Sequence, residues 1–191
     1  GSSLLRSVNF GANWTTVRSG NYDSSMSDER IVAASNAGVY QSTDGGDSWV
    51  LASTTEPTYG PVAPVPAVAA DSSGRMLATT RLGMVRSIDG GATWTPASQG
   101  LTNLRIRAVE VAGVGTIWAG QGEPGFTGVS MGVLRSTDGG QSWQKSDISN
   151  VAAYIRDIRL DSATSSRPGG GRLHASGSNC LNTNCTSFGP A

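Results

Sequence analysis

Lysine is nearly missing from this chain: of fourteen basic residues only Lys145 is lysine, and the other thirteen are arginine. Fourteen acidic residues balance them, so the formal charge is zero. The basic residues are spread along the chain, which leaves none of the electrostatic footprint that a nucleic-acid backbone or an anionic membrane attracts. No nucleic acid is expected as a partner. Histidine occurs once, at His174, and cysteine twice, at Cys180 and Cys185, too small a ligand set for a metal site. No apolar run approaches the roughly 20 residues that span a bilayer. The opening Gly1-Ser2-Ser3 has no signal-peptide character and reads as a cut end. The arginine bias, with abundant Gly, Ala, Ser and Thr, hints at a GC-rich bacterial genome.

What the chain does have is an internal repeat, and a repeat decides a fold before any local propensity does. Three segments share one pattern, an apolar strand followed by Ser-x-Asp-Gly-Gly-x-[Ser/Thr]-Trp. In the first, Ser42, Asp44, Gly46 and Trp49 hold the marked positions; in the second, Ser87, Asp89, Gly91 and Trp94; in the third, Ser136, Asp138, Gly140 and Trp143. A fourth, degenerate copy opens the chain, with Asn9 for Asp and Asn13 for Ser or Thr before Trp14. Each copy reads as a β-hairpin: side-chain acceptors and permissive glycines make the turn, and a large aromatic starts the return strand.

Two further strands recur before each box. One is Arg30-Ile31-Val32-Ala33-Ala34-Ser35, Arg75-Met76-Leu77-Ala78-Thr79-Thr80, Thr116-Ile117-Trp118-Ala119-Gly120 and Arg172-Leu173-His174-Ala175-Ser176. The other alternates, as in Ile106 to Val111 and Ile155 to Asp161. Four short strands per ~40 to 50 residues is the period of a propeller blade, and no segment carries a helical period. The expected fold is therefore an all-β propeller of four-stranded antiparallel blades, about four of them, spanning 1–177. Blades fall near 18–53, 54–98 and 99–148, with a mixed blade from 149–177 plus 3–17. Pairing of Ser3 to Val17 with the strand near Arg172 to Ser176, either within the chain or with a second copy, closes the ring; the alternative is a segment of a larger propeller. The short stretch between Trp14 and Arg30 suggests that the blade at 18–53 lacks its innermost strand. Residues 178–191 read as a tail in which Cys180 and Cys185 can close a small disulfide loop.

These boxes resemble the Asp-box (BNR) propellers: sialidases, xyloglucanase-like glycoside hydrolases, the sortilin ectodomain and photosystem II assembly factors. The segment Ile117-Trp118-Ala119-Gly120-Gln121-Gly122-Glu123-Pro124 looks most like the sortilin-like and xyloglucanase-like branch, whereas no Arg-Ile-Pro element of a sialidase occurs. The resemblance implies that the boxes lie on the outer rim, away from the ligand-binding face. An extracellular or periplasmic location is expected as part of the functional reading below.

Catalytic motifs fail on context. Gly120 to Gly125 satisfies G-x-G-x-x-G without a following helix, so no nucleotide cofactor is expected, and Gly128-Val129-Ser130-Met131-Gly132 lacks the strand-to-helix turn of a nucleophile elbow. His174 sits in an expected strand as a packed or edge residue. Carboxylates remain, and glycosidases need two of them. Asp23, Asp28, Glu29, Glu56, Glu123 and Asp157 are placed on loops opposite the boxes, with Glu123, Glu56 and Asp157 the candidates for a hydrolase. Nothing in the sequence pairs them. The favoured expectation is a non-catalytic module that binds a glycan or a protein surface on that face, through Tyr59, Arg81, Glu123, Phe126 and Tyr154, with Tyr22 nearby. Its centre is the connection from Gln121 to Met131, far longer than its counterparts at Asn36-Ala37 and Arg81-Leu82. Bare propeller edges make self-association a further expectation.

Overall fold

A computed structural model describes residues 3–19, 23–27, 30–35, 38–52, 67–71, 73–80, 83–101, 103–112, 115–122, 132–146, 153–161, 172–179 and 186–188. These form five antiparallel sheets in chain order. The first is the hairpin β1 (Ser3–Arg6) with β2 (Thr15–Ser19). The second runs β3 (Asp23–Ser27), β4 (Arg30–Ser35), β5 (Gly38–Ser42), β6 (Val50–Ala52). The third runs β7 (Val68–Ala70), β8 (Met76–Thr80), β9 (Gly83–Ser87), β10 (Thr95–Pro96). The fourth runs β11 (Ile106–Val111), β12 (Ile117–Gln121), β13 (Gly132–Ser136), β14 (Gln144–Lys145). The fifth has β15 (Ala153–Asp161), β16 (Arg172–Asn179) and β17 (Thr186–Phe188).

Each full sheet is a blade, and the core lies between blades. Val32, Val39 and Ala52 of the second sheet meet Val68, Met76, Val85 and Trp94 of the third. The other face of the third, with Leu77, Met84 and Ala97, meets Ile106, Ile117, Leu134 and Trp143 of the fourth. Ala108 and Val133 of the fourth then meet Ile155 and Ile158 of the fifth. Strands buried on both faces need apolar residues at successive positions, which is why β7 is Val-Ala-Ala and β8 opens Met-Leu-Ala. The register between second and third strands is the same in every full blade: the box serine pairs with Ile31, Met76 or Ile117.

Three features differ from the sequence expectation. The blade near 18–53 does have an innermost strand, β3, whose polar Asp23-Ser24-Ser25 start gave no apolar signal and which forms by pairing with β4. The segment assigned to a tail contains β17, which pairs with Gly177, Ser178 and Asn179. The pairing of Ser3 to Val17 with Arg172 to Ser176 is not made within the chain: β1 and β2 form a separate two-stranded sheet that packs beside the second blade.

Candidate functional site

The box turns are closed by their own side chains. Ser87 Oγ accepts the Gly91 N–H at 2.8 Å and donates to Asp89 Oδ1 at 2.8 Å, while Asp89 accepts the Thr93 N–H at 2.9 Å and its hydroxyl at 2.5 Å. The set recurs with Ser136, Asp138, Gly140 and Ser142, and with Ser42, Asp44, Gly46 and Ser48. Donors aimed at a carboxylate favour its charged form. The Thr93 hydroxyl and N–H, with Ser87, bring Asp89 down to about 2. At Asp138 desolvation pushes the other way but is outweighed by Ser142, Ser136 and Gln141, and the group again lies at about 2. Asp44 is held well below the carboxylate range by Ser48 and Ser42. Carboxylates so tied are poor proton donors near neutrality.

The turns also lock neighbouring blades. A Cβ on Gly91 would meet the Ala52 Cβ at 2.6 Å, and one on Gly140 would meet Leu77 Cδ2 at 2.5 Å, so the second box glycine lets each turn press onto the preceding blade. The indoles follow: Trp94 and Trp143 are buried among preceding-blade residues, and Trp143 Nε1 donates to the Ala97 carbonyl at 2.8 Å. Trp49 is half-buried, its Nε1 donating to the Gly46 carbonyl at 3.1 Å, and Trp14 is 61% exposed. In the first three boxes along the chain the residue before the serine reaches forward to the next turn. Arg6 pairs with Asp47; Gln41 Nε2 donates to the Gly90 carbonyl at 2.7 Å; Arg86 Nη1 donates to the Gly139 carbonyl at 3.2 Å. This forward contact was not seen in the sequence, although Arg, Gln, Arg, Arg at one repeat position was its signal.

At the far end of the third strand of the fourth blade from its box turn, the start of the second-to-third-strand connection meets the inter-blade segment around Asn103 and Arg105. The connections are 36–37 and 81–82 in the second and third blades but 122–131 in the fourth. The base of the long one is fixed. Gln121, 2% exposed, donates through Nε2 to the Asn103 carbonyl at 2.5 Å, and the Gly122 N–H bonds the Arg105 carbonyl at 3.1 Å. Asn103 Oδ1 in turn accepts the Arg105 N–H at 2.9 Å. Leu104, 39% exposed, lies in the same segment. Gln121 was missed as an anchor because a glutamine ending an apolar strand reads as a surface residue.

Tyr22, Asp28, Glu29, Glu56, Tyr59, Arg81, Glu123, Phe126, Cys180 and Cys185 lie outside the described residues. The backbone of Tyr154 belongs to β15, paired with Ser178, and that of Asp23 to β3. Asp157 is not on a loop: it sits mid-strand in β15 opposite Ser176, since Ile155 and Ile158 bury against the fourth blade and carry the intervening residues along the strand. Its carboxylate meets Arg159 at 3.3 Å, and the same guanidinium reaches Glu110 of β11 at 3.7 Å. Glu110 also accepts the Leu160 N–H at 3.2 Å. Desolvation raises Glu110, opposed by Leu160 and Arg159. Cross-strand from Glu110 stands Trp118, with Arg135 over its ring at 5.5 Å. Among the described residues, no group of three or more His, Cys, Asp and Glu could hold a metal ion, and no helix is long and apolar enough to cross a membrane.

Blades with this turn define an Asp-box β-propeller fold. The BNR/Asp-box repeat model matches residues 134–145, which run from β13 through the turn to β14, and the solved structures below share the β-propeller fold. Among solved structures it is similar to YCF48 bound to D1 peptide, at 17% identity and TM-score 0.57, covering 96% of this chain and 58% of that one. It is similar to an ancestral GH74 enzyme, at 18% identity and TM-score 0.56, covering 96% and 28%. The GH74 xyloglucanase from Xanthomonas campestris gives 16%, 0.57, 88% and 28%. The chain thus spans less than two thirds of these proteins, and at such identities the likeness is one of fold. No curated protein matches the sequence.

Proposed function

We propose that this chain is a non-catalytic recognition or scaffolding module of an exported bacterial protein, binding a glycan or a protein segment on the face opposite the Asp-box turns. The observation that carries the reading is the fixed base of the 122–131 connection, where Gln121 and Gly122 are tied to Asn103 and Arg105. Long connections on rigid bases are where recognition concentrates. Tyr59, Arg81, Glu123, Phe126 and Tyr154 supply aromatic faces and polar, orienting groups of the kind such surfaces use. The YCF48 structure is an instance of this fold with a peptide bound. Immobilised protein screened against glycan and peptide arrays should give saturable binding that weakens about tenfold or more in Phe126→Ala or Arg81→Ala, a hot-spot-sized loss. Binding to neither class, or binding indifferent to both substitutions, contradicts the reading.

A glycoside hydrolase is the second reading, and Glu110 with Asp157 favours it: two carboxylates at one guanidinium across a blade boundary, one with raised proton affinity. Reducing-end release from β-glucans that disappears in both Glu110→Gln and Asp157→Asn supports it; none from the parent protein removes it.

A disulfide between Cys180 and Cys185 belongs to the same proposal. Asn179 pairs with Thr186, so the strands leading into the two cysteines run side by side. Intact mass before and after reduction should differ by about two hydrogens, in keeping with an oxidising compartment.

A further inference from the structure

We infer that this chain self-assembles head to tail, the β1–β2 hairpin of one copy completing the blade begun by β15 and β16 of another. Three observations converge. β16 is paired along β15 from Arg172 to Asn179, but β17 covers only Gly177 to Asn179 on its other edge, which leaves Arg172 to Ser176 with no strand partner there among the described residues. β1 is paired by β2 on one edge and has no strand partner on the other among the described residues. These bare edges hold complementary places in the repeat. β15 and β16 are first and second strands, whereas β1 and β2, flanking a box, are third and fourth.

The register follows from the other blades. Leu160 pairs with Leu173 as Ala70 pairs with Met76 and Val111 with Ile117. The box serine opposes that second residue in each full blade, so Ser7 belongs opposite Leu173, Arg6 opposite His174 and Leu5 opposite Ala175. β17 then meets the incoming strand only at Gly177.

The side chains left exposed are the ones such a blade would use. Trp14, at 61%, occupies the position at which Trp94 and Trp143 bury against a preceding blade, and Leu5, 50% exposed, the position of buried Val85 and Leu134. Arg135 stands where Gln41 and Arg86 reach forward to the next box turn. The turn it would reach is the degenerate box at Asn9 and Phe10 of the second copy. Phe10 is the only non-glycine described residue with positive φ, at 55°, and its side chain is fully exposed. Unpaired strand edges favour such association.

The test is a double variant, Leu5→Cys with Ala175→Cys, prepared as equal parts of ¹⁴N and ¹⁵N protein, mixed, oxidised and read by non-reducing peptide mass spectrometry. A 5-to-175 linkage containing light–heavy hybrids, together with an oligomer of the parent protein in sedimentation velocity at ~100 µM, is the expected result. Arg135→Ala, at an exposed position, should weaken that oligomer by about tenfold, the worth of a charged hydrogen bond. A linkage confined to single chains would mean that the chain closes on itself and overturns the inference. So does a parent protein that remains monomeric together with a double variant that gives no 5-to-175 linkage.

Discussion

The box serine is the residue on which each turn depends. Ser136 is 1% exposed, and its one hydroxyl both accepts the Gly140 N–H and donates to Asp138. Ser136→Ala leaves a buried N–H without its acceptor and frees the carboxylate, so a loss of about 1–3 kcal/mol is expected. For a chain of this size that is a fall of several degrees in Tm, roughly 2–4 °C per kcal/mol. Differential scanning calorimetry checks it. The aspartates set an acid limb of defined sign. Asp89 and Asp138 have folded values of about 2 against 3.8 for the free group, so folding favours their charged forms. Their stabilisation is complete above pH ~4 and lost as pH falls through the interval down to about 2. Glu110, raised, has the opposite sign: folding favours its protonated form, and its contribution grows on acidification. Chemical denaturation between pH 5 and 2, followed by tryptophan fluorescence, should show the steep loss in the parent and a flatter one in Asp138→Asn.

At the scale of an element, the hairpin works between blades as much as within one. Trp143, 3% exposed and bonded to the Ala97 carbonyl, ties the fourth blade to the third. Trp143→Ala should cost about 3–5 kcal/mol. Trp14→Ala, at the same repeat position but exposed, should change the stability of the isolated chain by no more than about 0.5 kcal/mol. Urea titration of the two variants separates inter-blade packing from hairpin propensity, because equal losses would place the indole's value inside its own turn. The boxes were legible because their turn chemistry is local: serine, aspartate, two glycines and tryptophan act on one another within eight residues. β3 was not legible, since Asp23-Ser24-Ser25-Met26-Ser27 has no apolar alternation and becomes a strand only through β4. β17 was hidden for the same reason, a three-residue strand defined by its partner. The forward reach of Arg86 and Gln41 depends on how blades stack, which no single repeat contains.

For the whole molecule, the five sheets divide labour between two faces. One carries the Asp-box turns, whose polar groups are spent on their own backbone and on the adjoining blade. The other carries connections of unequal length on bases such as Gln121 and Asn103. The sequence singled out the 122–131 connection by its length; a binding surface drawn from several connections depends on how blades stack, which no single repeat contains, and the chemistry is therefore less legible than the scaffold. Replacement of 123–131 by a Gly-Gly turn, with Tm and array binding measured on the same preparation, tests the division most directly. The account predicts an unchanged Tm, within about 2 °C, and lost binding. A lowered Tm with binding intact would contradict it, because the connection would then serve the blade beneath and recognition would lie elsewhere.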